Sequence, residues 1–125
     1  MTRAVVIALL LLLTAGCGGG SVVAPPSGPP VTELRVGLLD YRFQLSAATL
    51  RPGPVTVVAT NAGSTAHDVV LSEHGTEIGR SAVLAPGQQQ TFRIRVAGGG
   101  PVDLECTLPG HAAAGMRASV RVAAG

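Results

Sequence analysis

The stretch CTLPGHAAAGM, residues 106–116, gathers residue types that the rest of the chain hardly uses. It holds Cys106, one of only two cysteines, His111, one of three histidines, and Met116, the only methionine besides the initiator. Thiolate sulfur and imidazole nitrogen together suit copper, which must be held as both Cu(I) and Cu(II). A fourth donor has to come from elsewhere in the chain. His67, which follows the turn-rich stretch NAGSTA, is the best candidate.

Each of these residues also has an ordinary explanation. A single cysteine is commonly a small buried hydrophobic residue, and Met116 can be a core side chain. His67 can be a hydrogen-bonded turn residue, and His74, in the polar stretch SEHGTE, is interpreted as a solvated surface residue. The complete set of two His, one Cys and one Met is nevertheless the donor set of a blue copper site, so the combination favours metal binding.

Short alternating stretches must position these donors. From Glu33 onward apolar and polar residues alternate with period two, and stretches rich in Gly, Pro and Asn separate the runs. In PVDLEC and MRASVRV the alternation places Cys106 and Met116 on the inward face. Phe, Tyr and Trp together number only three, so Val, Leu, Ile and Ala must fill the core. With no amphipathic helix pattern, we predict an all-β antiparallel sandwich of seven or eight strands.

Residues 1–32 do not show the alternating pattern of the rest of the chain and consist of an apolar run followed by a Gly/Pro/Ser-rich stretch. MTR carries a positive charge, and AVVIALLLLL is an apolar run of ten residues, too short to span a bilayer comfortably. LTAGC resembles the lipobox of bacterial lipoprotein signals, in which the cysteine is acylated. We predict a lipoprotein-type signal peptide at 1–16, a Gly/Pro/Ser-rich tether at 17–32 and one domain at 33–125, with a lipid on Cys17. The alternative is a plain secretory peptide cleaved nearby.

Over about residues 33–123 the chain resembles the cupredoxins that carry a mononuclear type 1 copper site. NAGSTAHDVVL is similar to the turn and first His ligand of that family, and CTLPGHAAAGM is similar to its ligand loop. The resemblance implies a Greek-key β-sandwich and one copper ion. It also implies that His67, Cys106 and His111 are equatorial ligands and that Met116 is the axial one.

The residue after the first His departs from the family pattern. That position is most often Asn in cupredoxins, and here it is Asp68. We expect Asp68 to accept a hydrogen bond from Thr107, next to Cys106, and so to support the ligands from outside the donor set. Gly110 and Gly115 immediately precede the two later loop ligands, where we expect sharp bends.

These observations predict an extracytoplasmic, membrane-tethered copper protein that carries single electrons and is not an enzyme. Four protein ligands leave no open position for a substrate, and His74 alone cannot build the further copper sites that oxidases of this fold need. The alternative is an extracytoplasmic copper chaperone, storage or sensor protein. Such proteins are expected to have open, Met- or His-rich sites, and the chain has few of either residue.

The partners follow from charge and from the residues around His111. The uncharged stretch LPGHAAAG predicts an apolar face at which redox protein partners dock. The net charge is only +2 and all nine basic residues are scattered arginines, so no basic stripe for nucleic acid is present. We expect a monomer.

Overall fold

The computed structural model describes residues 27–125, which form two β-sheets without an α-helix. The predicted signal peptide, Cys17 and most of the predicted tether lie outside the described residues. In residues 27–125 no helix is long and apolar enough to cross a membrane. The strands of this part of the chain are β1 (Glu33–Leu39), β2 (Arg42–Leu45), β3 (Thr49–Leu50), β4 (Gly53–Asn61), β5 (Val70–Glu73), β6 (Thr76–Arg80), β7 (Gln89–Val96), β8 (Val102–Glu105) and β9 (Arg117–Val122).

The strands form a four-stranded sheet in the order β2-β1-β4-β7 and a five-stranded sheet in the order β3-β9-β8-β5-β6. The predicted sandwich is confirmed, with two differences in detail. The described chain has nine strands, because the two-residue β3 is too short to show an alternating pattern. The pairs β1–β4 and β3–β9 are parallel, and the other neighbours are antiparallel. Alternation sets which face a residue occupies but does not set the direction of its neighbour.

The core lies between the two sheets and is aliphatic, as the composition predicts. The alternation in β1 holds, since Leu34, Val36 and Leu38 are fully buried between exposed or half-buried neighbours. Phe43 and Phe92 only pack against the edge of this core. The buried apolar residues of the described chain are Leu34, Val36, Leu38, Ala47, Leu50, Val55, Val57, Ala59, Val69, Leu71, Leu84, Ile94, Val96, Val102, Leu104, Cys106, Met116 and Val120.

Several strand ends meet at one end of the sandwich, here called the ligand end. Parallel pairing of Leu38 with Asn61 brings the last residues of β1 and β4 together. In the other sheet, Glu105 at the end of β8 pairs with Val70 at the start of β5 and with Arg117 at the start of β9. The connections that follow or precede these residues carry all four predicted ligands.

Candidate metal centre

Three of the four predicted ligands cluster at the ligand end. His67 Nδ1 lies 3.1 Å from His111 Nδ1, and Cys106 Sγ lies 3.5 Å from the same nitrogen. One donor atom from each residue lies within 4.8 Å of the other two. Cys106 and His67 are fully buried, whereas His111 is partly exposed. The arrangement is a compact group of one sulfur and two imidazole nitrogens with one edge near the surface.

The loop between β8 and β9 holds Cys106, His111 and Met116 in a fixed relation. Cys106 N donates to Met116 O (3.2 Å), and Met116 N donates to His111 O (3.0 Å). Gly110 and Gly115 adopt φ of 81° and 110°, a left-handed backbone that favours glycine, so the expected bends are present. The Met116 side chain is fully buried next to the end of β8. Its role as axial ligand stays a prediction.

His67 is held by its backbone and not by a strand. His67 precedes β5, which begins only at Val70. His67 N donates to Leu84 O (3.1 Å), and Leu84 N donates to His67 O (2.8 Å). The buried Asn61 amide donates to both Leu84 O and Thr65 O at 2.8 Å. These bonds fix the turn before His67, which explains how an irregular segment can present a ligand at a defined place.

Asp68 links the segment of His67 to the segment of Cys106. As expected, its side chain accepts hydrogen bonds from Thr107, one from the backbone N–H and one from the hydroxyl. Asp68 is only 4% exposed, so the carboxylate side of both bonds is shielded from competing water, whereas Thr107 itself is exposed. The two ligand-bearing segments are therefore connected next to the donor cluster.

Burial and backbone hydrogen bonds act in opposite directions on the pKa of the Cys106 thiol. Burial raises the pKa of Cys106 above its ordinary value, which is the largest effect. The backbone N–H groups of Asp68 and Leu108 donate toward the sulfur and act in the other direction by stabilising the thiolate. In the metal-free protein the thiol therefore keeps its proton, and a metal must displace it to bind.

Sequence reasoning missed two residues of the turn between β1 and β2. Asp40 Oδ1 lies 3.1 Å from His67 Nε2. The Tyr41 ring meets the His111 ring edge-on, with centroids 5.2 Å apart, and approaches His67 at 6.5 Å. Tyr41 has φ of 63°, which is uncommon for a large residue, and no alternation pattern could have indicated it. Hydrogen bonds from the Ser64 hydroxyl first, and then from His67, hold the pKa of Asp40 below its ordinary value.

His74 is exposed in the tight turn between β5 and β6 and is not part of the donor cluster. This agrees with its interpretation as a surface residue. It also leaves His67 and His111 as the two imidazoles of the cluster.

No protein-family model and no curated protein matches the chain. Solved structures share its fold. Auracyanin from Roseiflexus castenholzii, in its dithionite-reduced form, is 18% identical with a TM-score of 0.68, and the match covers 77% of this chain and all of that one. Auracyanin A from Chloroflexus aurantiacus, described as a blue copper protein, is 16% identical with a TM-score of 0.59, covering 76% of this chain and 100% of that one.

A multicopper oxidase also shares the fold. It is 18% identical with a TM-score of 0.55, and the match covers 72% of this chain but only 41% of the oxidase. Identities this low establish the fold alone. The chain has the cupredoxin fold, an all-β sandwich, and its predicted ligands make up the donor set that type 1 copper sites use.

Proposed function

We propose that the chain is a type 1 copper protein that acts as a one-electron carrier. The observation that carries this proposal is the cluster of Cys106 Sγ, His67 Nδ1 and His111 Nδ1, of which the first two residues are buried, with neighbouring atoms 3.1 and 3.5 Å apart. The cluster contains no carboxylate, and its one soft sulfur and two imidazoles fit copper in both oxidation states. Cys106, His67 and His111 would hold the ion, with Met116 as a weak fourth ligand. Copper bound there supplies a Cu(II)/Cu(I) couple.

The chain's own residues favour a carrier because they fix the donors in place. The hydrogen bonds of the β8–β9 loop, the Leu84 bridge at His67 and the Asp68–Thr107 contact all act on ligand-bearing segments. Preorganised donors need little rearrangement between oxidation states, which is what rapid electron transfer requires. The burial of Cys106 and His67 leaves little room for a substrate and disfavours easy release of the metal to a recipient protein.

A direct test is to add Cu(II) to the purified protein. We expect an intense absorption band near the red end of the visible spectrum that Cys106→Ser abolishes. His74→Ala is the matched control and should keep the band, since His74 lies outside the cluster. A colourless complex that exchanges Cu(I) quickly would indicate a copper chaperone, storage or sensor protein. Absence of copper binding would refute both functions.

We also propose that redox protein partners dock on the surface around His111. Ala113 and Ala114 are exposed, and Ala112 and His111 are partly exposed, so the uncharged loop forms an apolar surface beside the donor cluster. Electron self-exchange between two copies, measured by NMR line broadening, reports on this face without a known partner. Ala113→Glu should slow self-exchange because it sets like charges against each other. Ala124→Glu, at the exposed C-terminus, should leave it unchanged, and equal rates in the two variants would refute the docking face.

Membrane tethering and an extracytoplasmic location remain part of the proposal and rest on the N-terminal sequence. A lipid on Cys17 predicts that the mature protein partitions into detergent and has the mass of a diacylated chain. Cys17→Ser should abolish both properties. A wild-type protein that is cleaved elsewhere and stays in the aqueous phase would support the plain secretory peptide.

A further inference from the structure

Asp40 contacts the ring nitrogen of His67 that lies outside the donor cluster. His67 Nδ1 is the atom next to His111, whereas His67 Nε2 lies 3.1 Å from Asp40 Oδ1. Thr65 Oγ1 is the other neighbour of Nε2, at the longer distance of 3.4 Å. A carboxylate accepts hydrogen bonds and cannot donate them, so this contact requires the His67 proton to be on Nε2.

The carboxylate is itself held in place. Ser64 N donates to Asp40 Oδ1 (2.9 Å), and Ser64 Oγ donates to Asp40 Oδ2 (2.6 Å). Gly63 provides the space for the contact, because a Cβ there would lie 2.5 Å from Asp40 Oδ1 and 2.9 Å from His67 Nε2. Ser64 thus fixes the Asp40 carboxylate by two hydrogen bonds, and Gly63 leaves room for that carboxylate to reach His67 Nε2. An incidental contact between Asp40 and His67 would require neither the Ser64 hydrogen bonds nor the space at Gly63.

We propose that Asp40 is a positioning residue that fixes His67 with its proton on Nε2, which leaves the Nδ1 lone pair in the donor cluster available to a metal, and that its negative charge would favour Cu(II) over Cu(I). This inference rests on the proposed function. Carboxylates that hydrogen-bond the outer nitrogen of a metal-bound histidine fix its tautomer and raise its basicity, and removing such a partner commonly lowers metal affinity 10- to 100-fold. A nearby negative charge stabilises the more highly charged ion.

The first experiment measures copper affinity and reduction potential in Asp40→Asn, which removes the charge but keeps the side-chain shape. We expect Cu(II) affinity to fall about tenfold or more, and Cu(I) affinity to fall less. A tenfold difference between the two losses raises the potential by about 59 mV for a one-electron couple. Asp103→Asn is the matched control, since Asp103 is an exposed carboxylate bonded to the Ser119 hydroxyl in the same way (2.9 Å). Equal potentials in the two variants would overturn the proposal.

A second variant separates the hydrogen bond from the charge. Gly63→Ala keeps Asp40 but places a methyl group where the contact now lies, so the carboxylate and imidazole must move apart. We expect Cu(II) affinity to fall in this variant as well, together with a change in the visible spectrum of the copper protein. Wild-type affinity and spectrum in Gly63→Ala would show that the contact is dispensable.

A third measurement needs no copper. Nitrogen-15 NMR of the metal-free protein reports which ring nitrogen of His67 carries the proton. We expect a single form with the proton on Nε2 in the wild type and a mixture of both forms in Asp40→Ala. A wild type with the proton on Nδ1, or with the same mixture as the variant, would overturn the proposal. Because this result does not depend on metal binding, it stays decisive even if the protein proves not to bind copper.

Discussion

Replacement of Thr107 by Val tests whether Asp68 ties the two ligand-bearing segments together. The change removes the hydroxyl that donates to Asp68 Oδ2 and leaves the Thr107 N–H bond to Asp68 Oδ1 intact. Asp68 is 4% exposed but Thr107 is exposed, so water can approach the orphaned oxygen only from the side of residue 107. A hydrogen bond to a charged group contributes about 1.5–3 kcal/mol, and we expect the free energy of unfolding to fall by that amount.

Thermal and urea unfolding of the metal-free protein measure this effect. For a domain of this size each kcal/mol lowers the melting temperature by about 4–8 °C, so the expected fall is between about 6 and 24 °C. Thr107→Ser keeps the hydroxyl and should stay within about 0.5 kcal/mol of the wild type. Asp68→Asn should reduce the cost of the Val substitution, because the Asn oxygen would accept from Thr107 N–H and its NH2 group would donate to the hydroxyl, a neutral bond that is weaker than one to a carboxylate. If Val and Ser at position 107 are equally stable, the proposed link is wrong.

Two further predictions concern the Cys106 thiol and the packing around a glycine in β6. Because burial raises the pKa of Cys106, the thiol is protonated at neutral pH in the metal-free protein. Copper binding releases that proton, so apparent affinity should fall about tenfold per pH unit below the thiol pKa, and a flat profile in competition assays between pH 7 and 8 would contradict this. Gly79→Ala should cost about 1–3 kcal/mol in urea unfolding, since the new Cβ would lie 2.5 Å from Ile94 Cγ2. Gly37→Ala, whose Cβ would meet its nearest atom at 3.4 Å, should cost little, and similar losses in both variants would refute the packing argument.

Much of the fold could be predicted because alternation reports directly on burial. The inward positions expected for Cys106 and Met116 are both fully buried. The clustering of His67 with the loop residues followed from a shortage of other donors, and the structure brings three of the four together. The hydrogen bond between Asp68 and Thr107 was expected from the position of Asp68 next to the first histidine, and it is present.

The missed features all depend on contacts between distant parts of the chain. Asp40 reaches His67 across 27 positions, and its only local sign is an acidic residue at the end of an apolar run. Tyr41 meets both histidines because its backbone is left-handed, which a sequence pattern does not report for tyrosine. Leu84 secures His67 through main-chain groups that every residue possesses. No residue type or spacing in the sequence indicates these contacts.

Strand β1 joins the two ends of the sandwich. The chain reaches the start of β1 from Val31, whose carbonyl accepts a hydrogen bond from Arg51 N (2.8 Å). Directly after the last residue of β1, Asp40 contacts His67. The seven residues of β1 cover roughly 23 Å at about 3.3 Å each. If the chain is tethered through Cys17, the tether would join the domain at the Val31 end of β1, whereas the proposed electron exchange surface lies beside His111, at the other end. The point where the tether attaches and the proposed partner surface would therefore lie at opposite ends of β1.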